Sequence, residues 1–527
     1  MKKSFPVLLC AVLVIAGAGR SYSRENTVVI ALPPDLIAQI HFVGGEQISG
    51  DTNSPAFTNL WCSPEAQVLR GQTLNKLSHA PYEWLRERMA SRKKDEAGRL
   101  RPLLDDLLQS EWFLAVRDTT NGSPEFALAI RLNSNRAQLW QTNLANVLES
   151  WTGLSAEKNR DGWELKKHLP PDLIRFVRAG DWVVFGWGQD ELPLNDALVR
   201  RVFAEKRPAS AAKDYWLSAD VNWARLARGF SLSLATNFPE TRFKIVGRGG
   251  NLRVDGKLIP SQPLALSLEP WRVPTNTIHA PFVSFTAVRG FAPWLEKQGW
   301  AQPFEIHPLP HQAFVWALAQ IPFQTFVAVP VENATNAIQQ IGAKLTVGPH
   351  TNLQNPFLPS FTVTTNGNEI AWHGFPFIVP AIQPVREPAG DFLLAGLFPN
   401  SPSPGSLPME LIAQLDRTNL LFYHWEITTE RLQEIRGLSQ LALSLAGRPQ
   451  LGAQSAAAKW LDRIGPMLGN TVTEITQTAP DEWTFKRKAP GGLTALELVA
   501  LANWLEATNF PCYGLRLSPS PKNPAGP

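Results

Sequence analysis

Ala179-Gly180-Asp181-Trp182-Val183-Val184-Phe185-Gly186 returns 210 residues later as Ala389-Gly390-Asp391-Phe392-Leu393-Leu394-Ala395-Gly396. Four of the eight positions are identical and three more exchange like for like. Gly-Asp suits a tight turn. The apolar run that follows is continuous rather than alternating, the pattern of a central strand covered on both faces. Three further matches keep the same order. Trp112-Phe113-Leu114-Ala115-Val116 answers Phe314-Val315-Trp316-Ala317-Leu318, at offset 202. Phe126, Asn133 and Ala137 answer Phe326, Asn333 and Ala337, at offset 200. Asp220-Val221-Asn222 with Arg225-Leu226 answers Glu426-Ile427-Thr428 with Arg431-Leu432, at offset 206.

Four ordered matches at nearly one offset predict a divergent tandem duplication. The first copy spans residues 24–268 and the second 269–514. Each is read as an α+β lobe, a mostly antiparallel sheet with helices packed on it. The opening strand, 27–32 and then 37–43, answers 282–288. An excess in the first copy is a helical insertion at about 57–108, where Leu69, Leu74, Leu77 and Leu85 recur at helical spacing. Strands are expected at 111–118, 125–132, 162–168 and 360–365. Asn133 and Asn333 precede helices as caps. Proline-started helices follow the Ala-Gly-Asp strands, at 193–204 and 408–415. Strands 214–222 and 419–427 lead into short helices carrying Arg225 and Arg431, placed to pair with an acid such as Asp220 or Glu426. Each copy ends in a hairpin, the first turning at Gly249-Gly250-Asn251. A helix at 454–467 is peculiar to the second copy. The tail, 515–527, is read as disordered.

The N-terminus has the three parts of a secretory signal peptide. Lys2 and Lys3 precede the apolar run Phe5–Ala18, and small residues follow, with cleavage expected after Ala18 or Ser23. The run falls short of the ~20 residues a spanning helix needs, and no transmembrane helix is expected in the mature chain. The whole chain carries 50 Lys and Arg against 46 Asp and Glu, a net charge of +4. Loss of residues 1–23 removes Lys2, Lys3 and Arg20, leaving 47 basic and 46 acidic residues. That near-neutral balance gives no electrostatic footprint for nucleic acid. Hydrophobic residues make up 44% of the chain and charged ones 18%, which excludes a disordered class. After the leader, Cys62 and Cys512 remain and could pair in an oxidising compartment; separate thiols are the alternative.

No nucleophile elbow, phosphate loop, dinucleotide fingerprint or His-Glu-x-x-His occurs. His307 and His311 are four apart, but Pro308 and Pro310 between them forbid the helix that would align them. No catalytic residue, metal site or cofactor is assigned. Tryptophan is abundant, with 19 in the chain. Trp163, Trp187, Trp216 and Trp223 in the first copy are candidate ligand-contact aromatics, with a large aromatic core as the alternative.

The leader, the Ala-Gly-Asp-aromatic strand entry and the duplicated strand–helix units resemble secreted proteins of bacterial envelopes built from tandem α+β domains without an assigned function. The resemblance implies an exported, periplasmic or extracellular, soluble or peripheral protein with a non-enzymatic role, and it carries over no active-site residues. The sequence points to a non-catalytic binding or scaffolding protein whose partner is an envelope protein or an apolar ligand. A lipid carrier and a hydrolase with a dispersed site are the alternatives.

Overall fold

The computed structural model describes residues 35–86, 94–119, 124–168, 171–189, 191–209, 215–230, 238–261, 266, 268–279, 281–293, 296, 309–319, 323–347, 362–366, 368–375, 378–398, 407–508 and 510–511. The leader, the expected strand at 27–32, His307, Cys512 and the tail lie outside them. The described residues hold twelve α-helices and twenty strands. None of those helices is long and apolar enough to cross a membrane. The chain divides into two compact units. The first takes residues 1–263 together with 454–460 and 503–527, and the second takes 264–453 and 461–502.

In the first unit, β1 (Leu36–Phe42) is followed by α1 (Gly45–Ser49), α2 (Pro55–Cys62), α3 (Pro64–Arg86) and α4 (Ala97–Gln109). The last three of these helices span the expected insertion at about 57–108, and α1 precedes it. The chain continues through β2 (Trp112–Arg117), β3 (Glu125–Arg131), α5 (Ser134–Thr152), β4 (Glu157–Asn159), β5 (Gly162–His168), β6 (Pro171–Ala179) and β7 (Trp182–Gly188). Then come α6 (Pro193–Glu205), β8 (Leu217–Val221), α7 (Trp223–Phe230), β9 (Glu240–Arg248) and β10 (Asn251–Ile259). All pairings are antiparallel, in the order β4-β5-β6-β7-β3-β2-β1-β8-β9-β10. Gly249 and Gly250, with φ of 61° and 78°, form the two-residue turn between Arg248 and Asn251. Positive φ at both positions matches the right-handed twist of a hairpin.

The second unit starts with β11 (Phe282–Arg289), β12 (Gln312–Leu318), β13 (Thr325–Val331) and α8 (Ala334–Val347). It continues with β14 (Thr362–Thr365), β15 (Ile370–His373), β16 (Ala381–Glu387), β17 (Gly390–Gly396), α9 (Met409–Ile412) and a 3-10 turn at Ala413–Asp416. The later elements are β18 (Leu420–Ile427), α10 (Thr428–Leu445), β19 (Asn470–Ala479) and β20 (Glu482–Ala489), while α11 (Ala456–Ile464) and α12 (Ala495–Glu506) are each divided between the two units. Its strands pair antiparallel in the order β14-β15-β16-β17-β13-β12-β11-β18-β19-β20. Strand for strand, that is the order of the first unit.

The runs read as central strands are buried along nearly their whole length in β2, β3 and β7. On one face of the first sheet, Leu128, Phe176, Val183 and Phe185 pack with Trp140 of α5 and Leu226 of α7. On the other, Phe113, Ala129, Trp182 and Val184 pack with Leu198 and Val202 of α6. In the second sheet, Phe314, Trp316, Phe392 and Leu394 pack with Leu415. Val331 and Leu393 face the opposite way, towards Ile338 and Ile341 of α8.

Trp182 and Phe392 therefore hold equivalent places, each on the face opposite the helix that follows β3 or β13. The flanking sequence matches are one residue out. Trp112 lies in the cluster of α5, whereas Phe314 lies opposite α8, so Phe113 is the true counterpart of Phe314. A one-residue shift in a strand reverses every side chain's face. The Gly-Asp turn also differs between the units. Ala179 sits opposite Trp182, so Gly180-Asp181 forms the turn. Glu387 sits opposite Gly390, so Pro388-Ala389 does, and Asp391 is part of the strand.

Strand acids and asparagines start the helices. Asn133 Oδ1 accepts from Arg136 N at 3.0 Å, and Asn333 Oδ1 from Asn336 N at 2.9 Å. Asp391 accepts from Ala334 N at 3.2 Å, Glu125 from Asn195 N at 3.0 Å, and Glu426 from Ala495 N at 2.7 Å. Arg289, buried, donates to the carbonyls of Glu269, Arg417, Thr418 and Leu420 and lies over the Trp271 ring.

Two glycines give opposite expectations. A Cβ on Gly162 would lie 1.8 Å from the Phe176 carbonyl oxygen, while one on Gly71, inside α3, would meet nothing within 4 Å. Gly162→Ala should lose more than about 2 kcal/mol of unfolding free energy. Gly71→Ala should gain about 0.5–1 kcal/mol. Urea denaturation of both variants reads the contrast.

Glu426 gives a pH prediction. Burial alone would raise its pKa, but His424, with Nε2 3.3 Å from Oε2, the Ala495 N–H and Thr428 outweigh burial and hold it below the usual carboxylate range. The stability this contributes is present above the unfolded-state pKa and is lost as pH falls through the lower folded value. Glu426→Gln should cost about 1–2 kcal/mol near neutral pH. The gap from wild type should close under acid conditions, as read by denaturation at a series of pH values.

Candidate functional site

The four candidate tryptophans build the interior of the first unit. Trp163 stacks on Phe176 with centroids 5.5 Å apart, and its Nε1 donates to the Gln141 carbonyl at 3.0 Å. Trp216 is buried beside Val43, Ile48 and Leu252, and its Nε1 donates to Asp51 Oδ2 at 2.6 Å. Trp187 and Trp223 are half-buried against the main cluster, and Trp223 Nε1 donates to Thr241 Oγ1 at 3.0 Å. They sit on separate elements; Trp163 and Trp216 are buried, and Trp187 and Trp223 keep part of their surface exposed. Cys62 is exposed at the end of α2; its expected partner, Cys512, lies outside the described residues.

A polar chain that sequence reasoning missed runs through β1. His41 is buried, with Nδ1 2.8 Å from Tyr215 Oη and Nε2 3.0 Å from Glu111 Oε1. A neutral imidazole can donate to the carboxylate and accept from the phenol, so the bridge needs no charge on the ring. Among the described residues, no group of three or more His, Cys, Asp or Glu could hold a metal ion.

The second unit contains an open apolar groove of about 490 Å³ between β13, β15 to β17 and α10. Its floor includes Val327, Ala395 and Ile382; Trp372 and Leu438 rise beside them. The volume is within the roughly 300–1,000 Å³ of small-molecule sites. The first unit shows where the space comes from. There, Phe185 lies between Leu128 and Phe176 on neighbouring strands. At the same place in the second sheet, Ala395 lies between Val327 and Ile382. Where the first core has two rings, the second has a methyl and a branched aliphatic chain.

One cation lines this groove. Arg431, near the start of α10, has a side chain only 9% exposed. Its Nη1 donates to Thr325 Oγ1 at 3.2 Å and pairs with Glu434 one turn along the helix. The expected partner, Glu426, is turned instead towards the start of α12. Burial raises the Glu434 pKa, against the pull of Arg431. The described lining holds no carboxylate, imidazole or thiol. Such a surface can shelter an apolar body and offer one guanidinium at its margin. The visible sequence signal was the single unlike position of the eight-residue repeat, Phe185 against Ala395.

No protein-family model matches the chain. No curated protein matches it. Among solved structures, crystal form I of TP0453 aligns at 7% identity over 45% of this chain and 98% of that one. The TM-score of 0.21 is a likeness too slight to assign a fold.

Proposed function

We propose that this is an exported, non-catalytic binding protein of the bacterial cell envelope, and that it holds an apolar ligand in the groove of its second unit. The groove carries the reading. Its floor is apolar, its size suits a small molecule, and the first unit fills the equivalent place with Phe185 and Phe176. The leader sequence Lys2–Ala18 supports export and cleavage after Ala18 or Ser23. The matched strand order and the Ala-Gly-Asp repeat support a tandem duplication, with one copy kept as a packed support and the other opened for ligand.

Fluorescence titration of the full mature chain with a neutral apolar dye, N-phenyl-1-naphthylamine, tests the reading. Wild type should bind saturably. Ala395→Phe, which restores the ring found in the first unit, should weaken binding by roughly tenfold or more while leaving the circular dichroism spectrum unchanged. No binding by wild type, or equal binding by both proteins, would overturn it. N-terminal sequencing of the protein recovered from the periplasm or medium checks export; a chain beginning at Met1 contradicts it.

A further inference from the structure

We infer that the ligand is a single-chain amphiphile with a carboxylate head, its tail lying along the groove floor and its head meeting the Arg431 guanidinium. This rests on the groove being a ligand site. The Arg431 guanidinium is countered by Glu434, which is not among the residues lining the groove. The guanidinium's two hydrogen bonds among the described residues both leave from Nη1, to Thr325 and Glu434. The planar fork offers further N–H donors, set to grip a carboxylate with two parallel bonds.

Glu434, outside the groove lining, shows that this cation accepts a carboxylate. One guanidinium shared with one glutamate matches a singly charged head better than a doubly charged phosphate. An incoming carboxylate competes with Glu434, whose pKa burial raises against the pull of Arg431. Away from Arg431 the floor is Val327, Ile382 and Ala395, which suits a hydrocarbon chain.

Calorimetric titration of the full mature chain with laurate and with dodecanol tests the head group, since the two share a tail. Laurate should bind roughly tenfold more tightly, the worth of a charge-assisted hydrogen-bonded pair. Arg431→Gln should bring laurate down to the level of dodecanol and leave dodecanol unchanged. Glu434→Gln, which keeps the side-chain size and removes the competing charge, should tighten laurate alone. This second variant decides the matter if Arg431→Gln does not fold. Equal affinities in wild type would overturn the carboxylate head while the apolar groove stands. Failure of both ligands to bind would overturn the groove reading as well.

Discussion

A sheet covered on both faces leaves no water for the main chain at its middle, so each helix docking there must have its first N–H groups met by protein. In this chain the strands themselves supply many of those partners. Glu125 on β3 meets the start of α6, Asp391 on β17 the start of α8, and Glu426 on β18 the start of α12. The carboxylates also suit the positive end of each helix dipole. These contacts fix where a helix enters and hence which strip of sheet it covers. The groove is a strip of β13 and β15 to β17 beside α10.

The two units show how a packed core can be opened without changing the strand order. Interiors are filled to crystal-like density, so a lost ring either collapses or leaves space. In the second unit the backbone frame is held by the same ladder, β16 to β17 to β13, that holds Phe176, Phe185 and Leu128 in the first. The frame resists collapse, and Ala395 in the place of Phe185 leaves an open groove.

Much of this was legible in the sequence, for reasons that can be stated residue by residue. The Asn caps, the Gly249-Gly250 turn and the Gly180-Asp181 turn rest on local chemistry and lie where that chemistry put them, whereas Gly390-Asp391 belongs to the strand and Pro388-Ala389 makes the turn. Strand β6 was not legible, because Asp172, Arg175 and Arg178 interrupt its apolar pattern; Arg175 is held there by Glu164 of the neighbouring strand. Strand β4 is a short edge with exposed side chains, whereas β14 falls within the strand expected at 360–365. Helix α12 is apolar nearly all round and shows no clear stripe. The register of the flanking repeats was misjudged by one residue, since similarity of Trp to Phe does not reveal which face a side chain takes. The groove depends on which residues meet across three strands, and that adjacency is absent from a linear pattern.

The first unit also draws on residues far along the chain. Leu74 and Leu77 of α3 and Leu104 and Leu108 of α4 pack against Phe510, with Trp504 and Leu505 beside them. Gln72 reaches Glu506, and Lys76 reaches the Leu505 carbonyl. A polypeptide emerges from the ribosome in order, so these early helices must wait through more than half of synthesis with a greasy flank uncovered. A chain cut short before residue 503 would leave that flank without the cover of Trp504, Leu505 and Phe510.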